Sequence, residues 1–420
     1  MYISTTDNRV NEKKQKFKID IIKCISYFIL IDLIFFPYFP YFIMPLSLPV
    51  VILMLFFHGK FEKNSYFNIF IAISIFILIS VFTSIIIGRS TDIILENFKR
   101  AFQLITSFFY FFYFSYFTKR KDLNIKKILM AFIVYQLILA IIFFADPSMI
   151  ISLKKNFYTA SAHAADNVLI YIRYSYMFVD PNTAAYFYLI ITFFLYHKYD
   201  LKPFAKFFVI CSTIILLLAF QSNGAILAFL SGLILHVILN KKLLRAKTVK
   251  NIFVFILLII LVLIIIKNIY PNIWLEMTEI LNRYKYRYEV SLATENPRIG
   301  IYLKAIDNLI PFLWGQGYTL KIENAIFKPH SDHFRMIYSY GLVAYLSTLY
   351  YFFRHLLNKN FIFVLPAFFA FSINTLIDEQ KLLALFLSLL AISLKEINVD
   401  EDCSSSHHQL KFKEKSNKMR

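Results

Sequence analysis

The chain has 420 residues, 59% of them hydrophobic and only 17% charged, with a mean hydropathy of +0.60. A water-soluble domain of this length needs far more polar coating, so the composition excludes an ordinary soluble enzyme and leaves most of the surface to face lipid. The net charge of +19 would point to nucleic acid in a soluble protein; in a membrane protein basic residues set orientation, and no nucleic-acid partner is expected.

Apolar runs of about 17–25 residues can cross a bilayer core of roughly 30 Å. The sequence predicts such runs near 19–36, 43–57, 68–88, 101–117, 127–145, 182–197, 203–219, 223–238, 251–268, 334–353, 360–377 and 381–395. The expected fold class is therefore an all-α integral membrane protein of about twelve transmembrane helices. One transmembrane domain covers 19–395, between an N-terminal tail, 1–18, and a polar, disordered C-terminal tail, 396–420, both cytoplasmic. The first run follows a basic stretch, as a signal peptide does. Pro37, Tyr38 and Phe39 come after it in place of a small-x-small cleavage site, so an uncleaved helix is expected. Glycine is scarce (8) while Phe (48) and Tyr (28) abound, so bulky side chains fill the bundle.

Loop charge fixes the parity. Lys13, Lys14, Lys16, Lys18, Lys60, Lys63, Lys119, Arg120, Lys121, Lys241, Lys242, Arg245, Arg354 and Lys359 all fall inside when the N-terminus is inside. The short outside loops 37–42, 220–222 and 374–380 hold no Lys or Arg. Basic residues are about twice as frequent inside as outside, as the positive-inside rule requires. Two outside segments are long, about 146–181 and about 269–333, and unstructured loops beyond about 15 residues usually carry function. The second is basic, against the trend, with Arg283, Lys285, Arg287, Arg298, Lys304, Lys321 and Lys328. No inverted repeat is visible, which weighs against a transporter.

Motifs of soluble enzymes are missing: no Walker A loop, G-x-G-x-x-G, G-x-S-x-G or H-E-x-x-H. Asp400-Glu401-Asp402 has the letters of a metal-binding D-x-D, but it lies in the polar tail. Cys24, Cys211 and Cys403 suggest neither a disulfide nor a metal site. No cofactor and no metal are expected.

Four outward sites carry the candidate chemistry. Arg173 lies among Tyr171, Tyr174 and Tyr176, ahead of Asp180-Pro181-Asn182; Asp180 suits an N-cap and Pro181 the first helical position. Ser222-Asn223-Gly224 forms a tight turn in which Ser222 suits a cap. In Glu295-Asn296-Pro297-Arg298 a helix start and a guanidinium together suit a phosphate, although a solvated charge explains Arg298 as simply. His330-Ser331-Asp332-His333-Phe334-Arg335 opens the tenth run; an imidazole there suits proton transfer near neutral pH, and Ser331 or Asp332 suits a cap.

These sites follow an order: Arg then D-P-N opening a span, a Ser-x-Gly turn, then a long outward loop with N-P-R, G-Q-G (Gly315, Gln316, Gly317) and H-S-D-H-F-R, with Gly341 eleven residues after His330. Over about 173–342 this resembles the O-antigen polymerase and ligase superfamily. The resemblance implies a metal-independent glycosyltransferase of the multi-span, GT-C-like type. It would lie in the bacterial inner membrane and act at the periplasmic face on glycans linked to undecaprenyl pyrophosphate. His330 and Arg298 would be catalytic, and Arg173, Arg335, Asp332 and Asn182 would bind substrate. A chain-length regulator and a flippase are expected partners besides the bilayer. The family's Arg after the turn serine is Asn223 here. Ligases commonly have Asn after the histidine; Ser331 in that place favours polymerase. The alternatives are a ligase passing finished polymer to lipid A-core and a polysaccharide flippase.

Overall fold

Proline sets many of the helix starts in this chain. In the computed structural model the described residues are 6–36, 44–59, 65–117, 123–157, 173–178, 180–239, 314–318, 320–322, 325–327, 331–358 and 361–394, with isolated positions between 267 and 282. Helices α1 (Thr6–Phe35), α2 (Leu48–His58), α3 (Ser65–Ile86), α4 (Thr91–Phe117) and α5 (Lys126–Ala145) come first. Next are α6 (Pro147–Phe157), α7 (Pro181–Lys198), α8 (Pro203–Phe220) and α9 (Asn223–Leu239), followed by α10 (Asp332–Phe353), α11 (Val364–Ile373) and α12 (Gln380–Leu394). Pro181 and Pro203 stand in the first turns of α7 and α8, where a missing N–H costs nothing.

These helices occupy the apolar runs expected from the sequence, except that 251–268 lies almost wholly outside the described residues. α6 occupies the start of the long segment 146–181. A short antiparallel ribbon, β1 (Leu320–Ile322) and β2 (Ala325–Phe327), pairs Leu320 with Phe327 and departs from the all-α expectation.

By length and composition α3, α5 and α8 are apolar enough to cross a membrane. Their outer faces confirm what kind of solvent they meet. Ile71, Ile75, Leu78 and Phe82 of α3, Ile138 and Ile141 of α5, and Ile214, Ile215 and Leu218 of α8 are all exposed. A soluble protein rarely shows such continuous apolar faces, so the protein is membrane-associated. α7 and α12, by contrast, are buried over nearly their whole lengths and form the interior. Aromatic rings fill the space around them. Tyr351 of α10 meets Tyr66, Phe108 and Phe111 edge-on at 5.0–5.3 Å between ring centres, a favourable geometry for aromatic pairs. α10 packs most extensively on α3.

Hydrogen bonds and ring contacts between the helices mark out two ends. At one end Lys126 Nζ donates to the Asp200 carbonyl at 3.2 Å, and Arg354 lies 3.6 Å over the Tyr66 ring. The ends of α1, α3, α8 and α11 meet the starts of α2, α4, α7, α9, α10 and α12 at the other. Polar side chains gather there.

Candidate functional site

The polar end is organised by the connection 374–381 between α11 and α12. Its residues reach four other elements. Asn374 Nδ2 donates to Thr183 Oγ1 of α7 at 3.2 Å. The backbone N–H groups of Leu376 and Ile377 both donate to Asp332 Oδ2 of α10, the second at 3.0 Å. Asp378 forms an ion pair with Arg335. Gln380 Nε2 donates to Thr106 Oγ1 of α4 at 2.9 Å. Lys381 Nζ donates to the Asp32 carboxylate at 3.3 Å, to the Asp32 carbonyl at 3.0 Å and to the Phe36 carbonyl of α1.

Asp32 and Lys381 are each fully buried. The second carboxylate oxygen of Asp32 accepts from Ser47 N at 2.8 Å, and Ser47 Oγ in turn meets the Tyr110 hydroxyl at 3.0 Å. Low dielectric makes an unpaired charge costly, so the two ions and their hydrogen bonds hold each other in place.

Arg335 heads a second cluster. Arg335 and the Tyr318 hydroxyl both bond to the Asp378 carboxylate, Tyr318 at 2.7 Å. The Arg335 and Arg100 guanidiniums lie 5.5 and 5.0 Å from the centre of the Tyr318 ring. Arg100 donates to the Asp378 carbonyl at 3.2 Å and to Glu96 Oε1 at 2.8 Å. Burial disfavours the Glu96 carboxylate, but the Arg100 hydrogen bond and charge, with Lys99, outweigh it and hold its pKa below the ordinary value. Burial pushes the Tyr318 hydroxyl up, against the pull of Arg335 and Arg100, so Tyr318 stays a neutral donor at physiological pH.

Tyr318 reaches this place because the stretch 314–318 lies along α10. Gln316 N donates to the Tyr338 carbonyl at 2.9 Å and Gly317 N to the Ser339 carbonyl at 3.0 Å. Those acceptors are open because Gly341 breaks the helical path inside α10. Arg89 donates to Gln316 Oε1 at 3.3 Å, and Trp314, half exposed, stacks on Phe76 of α3.

The expected site residues fall into three sets. Arg298 and His330 lie outside the described residues, although His330 is bonded to Ser331, the residue preceding α10. Arg173 and Asn182 come together: Arg173 Nη2 donates to Asn182 Oδ1 at 3.1 Å and to the Gln221 carbonyl at 2.9 Å, and Nε donates to the Phe220 carbonyl at 3.1 Å. Asp180 caps α7 as expected, accepting from Asn182 N at 3.0 Å. Arg335 and Asp332 come together at the 374–381 connection. Ser331 holds the cap position of α10 without a side-chain hydrogen bond, and Asp332 reaches across to α11's exit. His333 spans α10 and α11, with Nδ1 at 2.9 Å from the Tyr345 hydroxyl and Nε2 at 3.0 Å from Ser372 Oγ; both nitrogens are engaged. The Arg173 and Arg335 groups share one end through Thr183 and Asn374.

Sequence reasoning missed Arg100, Tyr318, Asp378 and Lys381. One signal was available: Asp378, Glu379 and Lys381 are three charges around an apolar loop, and charges at a span's edge usually have partners. Among the described residues no three His, Cys, Asp or Glu side chains are placed to hold a metal ion.

What the site can do chemically follows from its parts. It offers buried guanidiniums, a neutral tyrosine donor and carboxylates that fix loops, all at one end of an apolar bundle. Guanidinium and phenol donors of this kind are chemically suited to an oxyanion. No protein-family model matches the chain, and no curated protein matches it.

Proposed function

We propose that the chain is a polymerase of lipid-linked surface-polysaccharide repeat units, a multi-span glycosyltransferase in the bacterial inner membrane whose polar end faces the periplasm. The observation that carries this reading is the gathering of Arg89, Arg100, Arg173 and Arg335 at one end of a membrane-associated bundle, beside the start of α10 to which His330 is bonded. The positive-inside distribution of loop charge supports about twelve spans and cytoplasmic termini. The order of motifs from Arg173 to Gly341 supports the reaction class.

In this reaction the bond between the growing glycan and its undecaprenyl pyrophosphate breaks, and a glycosidic bond to a sugar hydroxyl of the next lipid-linked unit forms. The hydroxyl proton passes to His330, and the pyrophosphate departs with its charge matched by Arg298 and Arg173. Such proton acceptance is worth roughly 10²–10⁴ in rate. Both substrates are held by lipid tails in one leaflet, so positioning supplies much of the remainder.

The experiment is complementation of a deletion strain. Wild type restores long-chain polymer; His330→Ala and Arg298→Ala, expressed at equal level, leave surface core with a single repeat unit. Normal ladders from both variants would remove these roles. Bare core with accumulated lipid-linked polymer in the deletion strain would favour the ligase. The buried Asp32–Lys381 pair is a feature transporters share, but here its hydrogen bonds tie the end of α1 to the start of α12 and to Ser47 ahead of α2.

A further inference from the structure

The Arg335 cluster is already occupied by an anion, and that anion belongs to the protein. We propose that the Asp378 carboxylate fills an oxyanion site formed by Arg335, Arg100 and Tyr318, and that a diphosphate ligand binds there by displacing it.

Three observations carry the exchange. First, the carboxylate receives a guanidinium and a phenol together, the donor set that a phosphate oxygen takes. Second, exposure is unequal. The Arg335 side chain is 5% exposed and that of Asp378 18%, so the carboxylate lies on the accessible side of the buried cation. Third, two cations share the place. Arg335 and Arg100 both lie beside the Tyr318 ring, and Arg100 also holds the Asp378 carbonyl. Moving the Asp378 carboxylate aside takes away the partner of Arg335 and leaves both guanidiniums around Tyr318. The connection is anchored on both flanks, by Asp332 at 376–377 and by Thr106 and Asp32 at 380–381. Asp378 can therefore move without freeing the whole loop.

The choice of a diphosphate rests on the proposed function; the displaceable carboxylate does not. The probe is inorganic pyrophosphate, with sulfate at equal ionic strength as control, applied to purified full-length protein in detergent. Replacing Trp274 by Phe leaves Trp314 as the sole tryptophan, four residues before Tyr318. Wild type is expected to give a weak, saturable change in Trp314 fluorescence. Asp378→Asn removes the competitor and is expected to tighten pyrophosphate binding about tenfold or more. The same variant unfolds at lower temperature without anion, and pyrophosphate restores the loss by mass action. A variant destabilised but not restored by pyrophosphate, or one that binds no more tightly than wild type, would overturn the exchange and leave Asp378 a structural tie. If Asp378→Asn does not fold, the wild-type titration decides: a response that does not saturate, or that sulfate reproduces, rejects the site. These outcomes are separate from the polymer ladder, since failure here leaves a normal ladder and a normal complementation result intact.

Discussion

Replacing Asp32 by Ala is expected to remove most of the folded protein. The substitution deletes the only carboxylate that the described residues place on Lys381 and leaves the ammonium buried among carbonyl groups. Breaking a buried pair by removing one partner costs about 3–5 kcal/mol, because the surviving charge keeps its desolvation penalty. Net stabilities are typically only about 5–15 kcal/mol, so a loss of this size cuts deeply into the total. The damage is not local. Lys381 sets where α12 begins, and the residues just before it hold Arg335, Asp332 and Thr106. Asp32→Leu combined with Lys381→Met removes both charges and is expected to recover most of the stability, since apolar replacements of a buried pair are often neutral or better. Thermal unfolding in detergent with size-exclusion profiles measures both. A single Asp32→Ala as stable as wild type would show that the pair does not organise the polar end.

The second large effect is expected from Gly315→Ala. Gly315 has a φ of +72°, and a Cβ there would lie 2.4 Å from the Ser339 carbonyl oxygen and 2.6 Å from Tyr340 Cα. Both obstacles are backbone, so neither swings aside. The strained φ and the overlap together cost about 2–4 kcal/mol. The stretch must then lift from α10, giving up the Gln316 and Gly317 hydrogen bonds and withdrawing Tyr318 from Asp378. Gly88 is the matched control. Its φ is +71°, with no atom within 4 Å of a built Cβ. Gly88→Ala therefore pays only the backbone term, about 1–2 kcal/mol. In complementation, Gly315→Ala should lose long-chain polymer while Gly88→Ala retains it. Equal effects would show that the docking of 314–318 on α10 is unimportant.

Much of this architecture was legible in the sequence because it follows from local rules. An apolar run of the right length becomes a helix wherever the chain meets lipid, and Asp180-Pro181 starts α7 because each residue suits its position. The meeting of Arg173 with Asn182 follows almost as directly, since nine residues separate them across one turn. The Asp378 cluster was not legible for the opposite reason. Arg100, Tyr318, Arg335 and Asp378 come from four separate elements, with 278 positions between the first and the last. No spacing rule connects them. The Asp32–Lys381 pair was not legible either. A lone carboxylate near a helix end is satisfied equally by reaching water or by a cation from elsewhere, and only tertiary packing brought Lys381 to it. Ser331 and Asp332 show a finer limit: either suits a cap, but Asp332 is drawn off by two backbone N–H groups of the 374–381 connection.

The orientation of the polar end is the claim on which the proposed chemistry depends, and site-specific labelling tests it most directly. Cys24, Cys211 and Cys403 are replaced by Ser, and single cysteines are introduced at Asp146 and at Asp200. Both positions are exposed, one following α5 and the other following α7. With cells intact and the outer membrane permeabilised, a membrane-impermeant maleimide should label Asp146→Cys at once and Asp200→Cys only after lysis. Labelling of Asp200→Cys in intact cells, with Asp146→Cys protected, would place the arginines in the cytoplasm and contradict the account.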